Sequence, residues 1–171
     1  FSFICTGTRG VGKFKRLFGT ATVKLIKQSR VPILAVPGNC KPDTISSILY
    51  ASDLVNIEKE LKKVIDFARP LKAQVVLLHF SPPYKFVDSK MFEARVKNIS
   101  RYDNIEVHIE NEDHDQPRAS IVASILKKTK SSMMIMFTAQ RKSLFEKIFL
   151  SSKSVRHSFK TEVPLLVYNK A

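Results

Sequence analysis

The chain has 171 residues, 44% of them hydrophobic and 26% charged, with a formal net charge of +14. That composition suits one ordinary globular domain, or one domain and part of another. Two cysteines exclude a disulfide-framed fold and fit a reducing cytoplasm. No apolar run spans a bilayer, and the start has neither an initiator Met nor the order of a signal peptide. A cytoplasmic chain beginning at a fragment boundary or a cleavage site is therefore expected. Residues 1–43 hold eight bases and one acid, Asp43, a balance that suits an anionic partner, although for scattered lysines a solvated basic surface is the stronger reading.

Taken in order, Phe1 to Cys5 is an apolar strand closed by Thr6-Gly7, and a helix is predicted from near Thr20. Val31 to Val36 forms a second strand, with Pro32 confined to its start, and Pro37 to Asp43 is a linker. Strand Ile45–Ala51 follows, ending at Ser52-Asp53. Ile57, Leu61, Val64, Ile65 and Ala68 share one helical face, which Pro70 closes. Gln74–Phe80 is an unbroken apolar strand of the kind found inside a parallel sheet. A weaker helix (Phe92, Val96, Ile99), strand Ile105–Ile109, a helix with Ile121, Val122, Ile125 and Leu126, and strand Ser132–Phe137 come next. A helix over about 152–160 leads to the last strand, Val163–Tyr168. This alternation predicts an α/β fold with a mostly parallel sheet.

Between the first strand and first helix lies Gly7-Thr8-Arg9-Gly10-Val11-Gly12-Lys13, running on to Gly19-Thr20. Glycine-rich strand-to-helix turns hold phosphate, because the backbone can approach the anion and free N–H groups point at it. Gly7, four residues, Gly12 and Lys13 match a Walker-type loop, but Phe14 stands where a magnesium-holding hydroxyl belongs. Alternatively the glycines serve only the turn. The second phosphate-binding spacing is Gly7-x2-Gly10, eight residues, then Gly19-Thr20.

Residues 1–37 set against 133–169, at a constant offset of 132, give seven identities: Thr6/Thr138, Arg9/Arg141, Lys15/Lys147, Val23/Val155, Val31/Val163, Pro32/Pro164 and Leu34/Leu166. Both copies run strand, basic turn, helix, Val-Pro and strand. Together with the second spacing, this pattern resembles the universal stress protein family, whose nucleotide signature is G-x2-G-x9-G-[ST]. The resemblance implies residues 1–40 as the closing strand–helix–strand of a first domain plus linker, and 41–171 as a complete second domain. The implied fold is an open, mostly parallel five-stranded sheet with helices on both faces, as in adenine nucleotide alpha hydrolase-like proteins, in the order 3-2-1-4-5. The last strands, Ile33–Val36 and Leu165–Tyr168, would pair between the halves, or with a homodimer mate.

The function implied is a non-catalytic stress-response scaffold that binds ATP or another adenine nucleotide, or has lost that site. Gly7, Arg9, Gly10, Lys13, Gly19 and Thr20 would cradle phosphate in the first copy. In the second, Asp53 would meet the adenine end, while Ala139, Lys142, Ser151 and Ser152 stand at the turn positions and read as a degenerate site with nothing bound. Weak ATP hydrolysis stays open. The alternative function is a basic scaffold for an anionic macromolecule, although no RNA-binding pattern of aromatics accompanies the bases and nucleic acid is not the favoured partner. Glu110 to Asp115 reads as a solvated acidic loop rather than a metal site, His79 as a core or loop histidine and His157 as a surface one. No nucleophile elbow or zinc motif occurs, so neither catalytic residues nor a metal are expected.

Overall fold

A computed structural model describes residues 3–8, 20–40, 44–82, 84, 87–112, 116–138, 144–149 and 163–169. Seven strands form one sheet: β1 (Ile4–Thr8), β2 (Ile33–Pro37), β3 (Ser47–Ser52), β4 (Gln74–Ser81), β5 (Ile105–Asn111), β6 (Met133–Thr138) and β7 (Leu165–Asn169), in the order β1-β2-β7-β6-β3-β4-β5. All neighbouring pairs are parallel except β2 and β7. The helices are α1 (Thr20–Gln28), α2 (Ile57–Leu71), α3 (Ser89–Ser100), α4 (Arg118–Lys128) and α5 (Leu144–Phe149). The predicted helix over 152–160 lies outside the described residues.

Side chains alternate across the strands and so build two cores. On one face Ile33, Ala35, Leu49, Ala51, Val76, Leu78, Met134, Met136, Leu165 and Val167 pack beneath α1, α4 and α5. On the other, Ile48, Tyr50, Val75, Leu77, Met133, Ile135, Phe137, Leu166 and Tyr168 lie beneath α2 and α3. Strands β3 and β6 are buried at every position, as a parallel sheet covered on both sides requires.

The sheet corrects the expectation of five strands. The order 3-2-1-4-5 describes only the run β5-β4-β3-β6-β7; β2 and β1 extend the sheet past β7. The physical reason is the edge of β7, whose row of N–H and C=O groups needs a partner and finds it in β2. That antiparallel ladder pairs Ile33 with Val167, Leu34 with Leu166 and Ala35 with Leu165. Since Leu34 and Leu166 are also equivalent at the offset of 132, the ladder has a local two-fold axis through them.

The constant offset needs a second correction. Ile4 N–H donates to Pro32 at 2.8 Å and Met134 N–H to Pro164 at 2.9 Å, so Ile4 occupies the place of Met134, at an offset of 130. The ladders agree, pairing Ile4–Thr8 with Ile33–Pro37 and Met134–Thr138 with Leu165–Asn169. The connection inside the first copy is thus two residues shorter. Helix α2 also outruns its prediction. Pro70 sits in its last turn, where its missing N–H forfeits one bond, and the helix closes at Lys72 in a left-handed conformation (φ 52°). Helix α5 was not predicted at all.

Candidate functional site

In an open α/β sheet, ligands bind beyond the carboxyl ends of the strands, where strand order reverses. From β3 onward that reversal falls between β3 and β6. The β3–α2 turn at this point is tightly built. Ser52 Oγ accepts from Leu54 N–H at 3.1 Å and Asp53 Oδ1 accepts from Val55 N–H at 3.1 Å. They hold Leu54 at φ 63°, a left-handed backbone that costs a side-chain-bearing residue roughly 1–2 kcal/mol. Asp53 is exposed at the rim. Beside it, His79 Nδ1–H donates to the Ser52 carbonyl at 3.0 Å, since the carbonyl can only accept.

Below the rim the space is full. Tyr50 meets Phe137 edge-on at 5.9 Å, Phe137 stacks on Tyr168 at 5.0 Å, and Lys63 Nζ lies 5.9 and 5.8 Å from the last two rings. The Tyr50 hydroxyl donates to Glu60 Oε2 at 2.7 Å and lies 2.9 Å from Ser52 Oγ. Burial, then the Glu60 charge, pushes the Tyr50 phenol far above its usual range; burial, then Asp66, raises Tyr168. The sequence reading missed this Tyr50–Ser52–Glu60 group. Its signal was Glu60, which falls three residues after Ile57 and beside Leu61 on the buried face of α2.

Of the residues expected at the first copy's turn, Gly7 is placed differently. Gly7 lies inside β1 opposite Val36, because the ladder with β2 carries the strand on to Thr8, past the predicted end at Cys5. An added Cβ at Gly7 would meet no atom of the described residues within 4 Å. Thr20 opens α1. Arg9, Gly10, Lys13 and Gly19 lie outside the described residues, as do Ala139, Lys142, Ser151, Ser152 and His157. By ladder position the counterpart of Gly7 is Phe137 rather than Ala139.

The two candidate half-sites are far apart. Strand β1 runs with β2, and β2 runs against β7, so the carboxyl ends of β1 and β3 face opposite edges of the sheet. They are also four strand spacings apart, about 19 Å. Gly7 and Asp53 therefore belong to different sites. Elsewhere, Glu112 pairs with Arg118, and Glu106 Oε1 is 2.7 Å from His108 Nε2. Among the described residues no group of three His, Cys, Asp or Glu side chains is arranged for a metal ion, and no helix is long and apolar enough to cross a membrane.

No family model and no curated protein matches the sequence. Solved structures do. Over 99% of its length the chain is similar to 61% of a universal stress protein from Archaeoglobus fulgidus DSM 4304, with a TM-score of 0.67 and 21% identity. Over 98% it is similar to 62% of a functionally unknown protein from Pseudomonas aeruginosa PAO1, with a TM-score of 0.62 and 20% identity. It thus spans about three fifths of the length of these two chains. Three quarters of it (75%) is similar to the whole of a universal stress protein solved in complex with cAMP, with a TM-score of 0.53 and 7% identity. At such identities the likeness is one of architecture: the chain has the α/β fold of the universal stress proteins, a parallel-dominated sheet between two layers of helices.

Proposed function

We propose that the chain belongs to a two-unit universal stress protein. Residues 1–40 are the closing portion of a first unit and 41–171 a complete second one, joined through their last strands. The protein is a cytoplasmic, non-catalytic scaffold whose adenine-nucleotide site is in the first unit. There Gly7, Arg9, Gly10, Lys13, Gly19 and Thr20 surround the phosphates. The second unit, with Asp53 at its rim, is structural.

One observation carries this assignment: Gly7 and Phe137 occupy the same ladder position near the carboxyl ends of equivalent strands. In the second unit the position is filled by a ring packed between Tyr50 and Tyr168. In the first it is bare backbone in an extended strand, and among the described residues neither a turn nor packing calls for glycine there. A ligand that must touch the backbone does. The local two-fold through Leu34 and Leu166 supports the pairing of two like units. The cAMP complex of a structural relative makes both ATP and cAMP suitable probes.

Calorimetric titration of the intact protein with each nucleotide tests the assignment. Binding is expected to vanish in Gly7→Phe and to persist in Asp53→Ala. Binding that survives Gly7→Phe, or that is lost only in Asp53→Ala, would place the site in the wrong unit. Absence of nucleotide binding, with salt-sensitive capture of RNA or acidic vesicles, would favour the basic-scaffold alternative.

A further inference from the structure

Helices α2, α3 and α4 each lead from one parallel strand back to the start of the next, so their carboxyl ends meet at one edge of the sheet. Backbone bonds fix that meeting. Gln74 N–H donates to the Ser46 carbonyl, Val75 N–H to Asn104 and Ser132 N–H to Ser47, each at 2.9 Å. The segments leading into this row, residues 69–73, 101–104 and 127–132, carry six bases and one acid, Asp103. Arg69, Lys72, Arg101, Lys127, Lys128 and Lys130 are exposed, and none of them is in an ion pair among the described residues. They are far apart in the sequence, and the fold gathers them. The loops at the opposite edge carry acids instead, among them Asp53, Asp88 and Glu112.

A base in the last turn of a helix complements the helix dipole, and each of the three helices has one there. That reason does not extend to the residues just past them. Lys72 (φ 52°), Arg101 (φ 49°) and Lys130 (φ 50°) all stand in the left-handed conformation, where glycine or asparagine is the usual occupant. Arg69 and Arg101 also border a cleft of about 330 Å³ between α2 and α3, whose apolar lining is Leu61, Ile65 and Ile99. Arg69 is held at this cleft. Its guanidinium lies 5.3 Å from the centre of the Tyr102 ring and donates to the Arg101 carbonyl at 3.1 Å, which leaves further N–H groups for an anion. The Tyr102 hydroxyl is tied in turn to the Ala73 carbonyl at 2.6 Å. The acids on the cleft do not oppose this. Asp66 Oδ2 is 3.0 Å from Lys62 Nζ, and Glu58 is about 16 Å from Arg69 along α2.

We propose that this edge binds a single-stranded nucleic acid, with its phosphates on the six bases and one nucleobase in the α2–α3 cleft. A row of anions matches the charge, and a flat, largely apolar side group matches the cleft. Bare polyphosphate would leave the cleft unused. A bilayer is met by projecting apolar side chains, and in the three closing segments only Leu71 is a large exposed hydrophobic. A duplex keeps its bases stacked inside, whereas a single strand can splay one out into the cleft. The surface is separate from the nucleotide turn at Gly7 and does not depend on it.

Fluorescence anisotropy of the intact protein with a labelled oligouridylate of about twelve nucleotides tests this. The plot of log Kd against log salt is expected to have a slope of about 4, at about 0.7 for each of six phosphate contacts. Arg69→Gln with Arg101→Gln should lower that slope by about 1.4 and weaken binding at least about tenfold. Lys59→Gln with Lys90→Gln removes the same charge from the opposite ends of α2 and α3 and should change binding by less than about twofold. Inorganic polyphosphate of equal charge should bind at least about tenfold more weakly than the oligouridylate, because it has no base for the cleft. Equal effects of the two double variants, a duplex or polyphosphate bound as tightly as the single strand, or no binding at low salt would each overturn the proposal. So would preferential capture of phosphatidylserine vesicles or of polyglutamate, which would give this edge a membrane or an acidic protein as its partner.

Discussion

The pairs β1–β2 and β6–β7 have the same ladder and different surroundings. Each joins five residues in parallel, begins with an N–H donated to the proline of a Val-Pro pair, and meets the other pair across Leu34 and Leu166. Yet β6 is sealed by β3 and by helices on both faces, while β1 has no strand along its outer edge among the described residues and exposes Phe3 and Ile4. Backbone pairing is therefore independent of how well a strand is buried. What differs between the copies is side-chain chemistry at the carboxyl ends, where one has glycine and the other a ring. Each expected outcome below would weaken or sharpen that contrast.

The largest effect is expected at Phe137. Its ring is 4% exposed and packs against Tyr50 and Tyr168. Phe137→Ala should cost about 3–5 kcal/mol, seen as a lowered denaturant midpoint at unchanged slope. Ile4→Ala, in the equivalent strand but already exposed, should cost under about 1 kcal/mol in the 171-residue chain. Similar losses at the two positions would mean that β1 is as well packed as β6, and the contrast would fail.

Tyr50 comes next. Phe in its place removes the hydroxyl that donates to Glu60 and leaves a buried carboxylate oxygen short of that bond, a loss of about 1–3 kcal/mol. The same residue gives the molecule an alkaline limit. Burial first, then Glu60, holds the folded phenol protonated above its ordinary value of 10.0. Above that pH the unfolded chain releases a proton that the folded chain retains. The stabilisation is therefore complete below about pH 10 and declines, by about 1.4 kcal/mol per pH unit, as pH rises toward the folded value. Tyr168 and Tyr102 are shifted in the same direction. Tyr50→Phe should flatten the measured slope by one proton, and an unchanged slope would show that the filled pocket does not hold Tyr50 protonated.

Much of this architecture was legible because apolar runs and helical faces mark elements locally. The alternation of strands and helices needed only periodicity. The β2–β7 pairing followed from the resemblance together with the repeat. The two-residue slip between the copies was not legible. A shift of two keeps every side chain on its own face, so hydrophobic pattern cannot detect it, and the chance identity Thr6/Thr138 favoured the ungapped alignment. Only the ladder reveals that Gly7 stands against Phe137. Helix α5 escaped because six residues carry too little periodicity, although Leu144, Phe145, Ile148 and Phe149 share a face. Glu60 escaped because a carboxylate on a helix is ordinarily assigned to solvent, and only the Tyr50 hydroxyl across the core explains its place.

The smallest expected change in stability is at Gly7, and it separates two reasons for the glycine. A strand interior prefers Ala to Gly by roughly 0.5–1 kcal/mol, and a Cβ at Gly7 meets nothing within 4 Å among the described residues. Gly7→Ala should therefore leave the 171-residue chain unchanged or more stable by up to about 1 kcal/mol. A methyl group between the backbone and a phosphate should at the same time weaken nucleotide binding by the intact protein. If Gly7→Ala is neutral in the short chain but destabilises the full-length protein without nucleotide, the close approach comes from the front of the first unit. If it is benign in both and only binding falls, the approaching group is the ligand. Glycine at this position would then mark a carboxyl end kept open for use, against Phe137, which closes its counterpart.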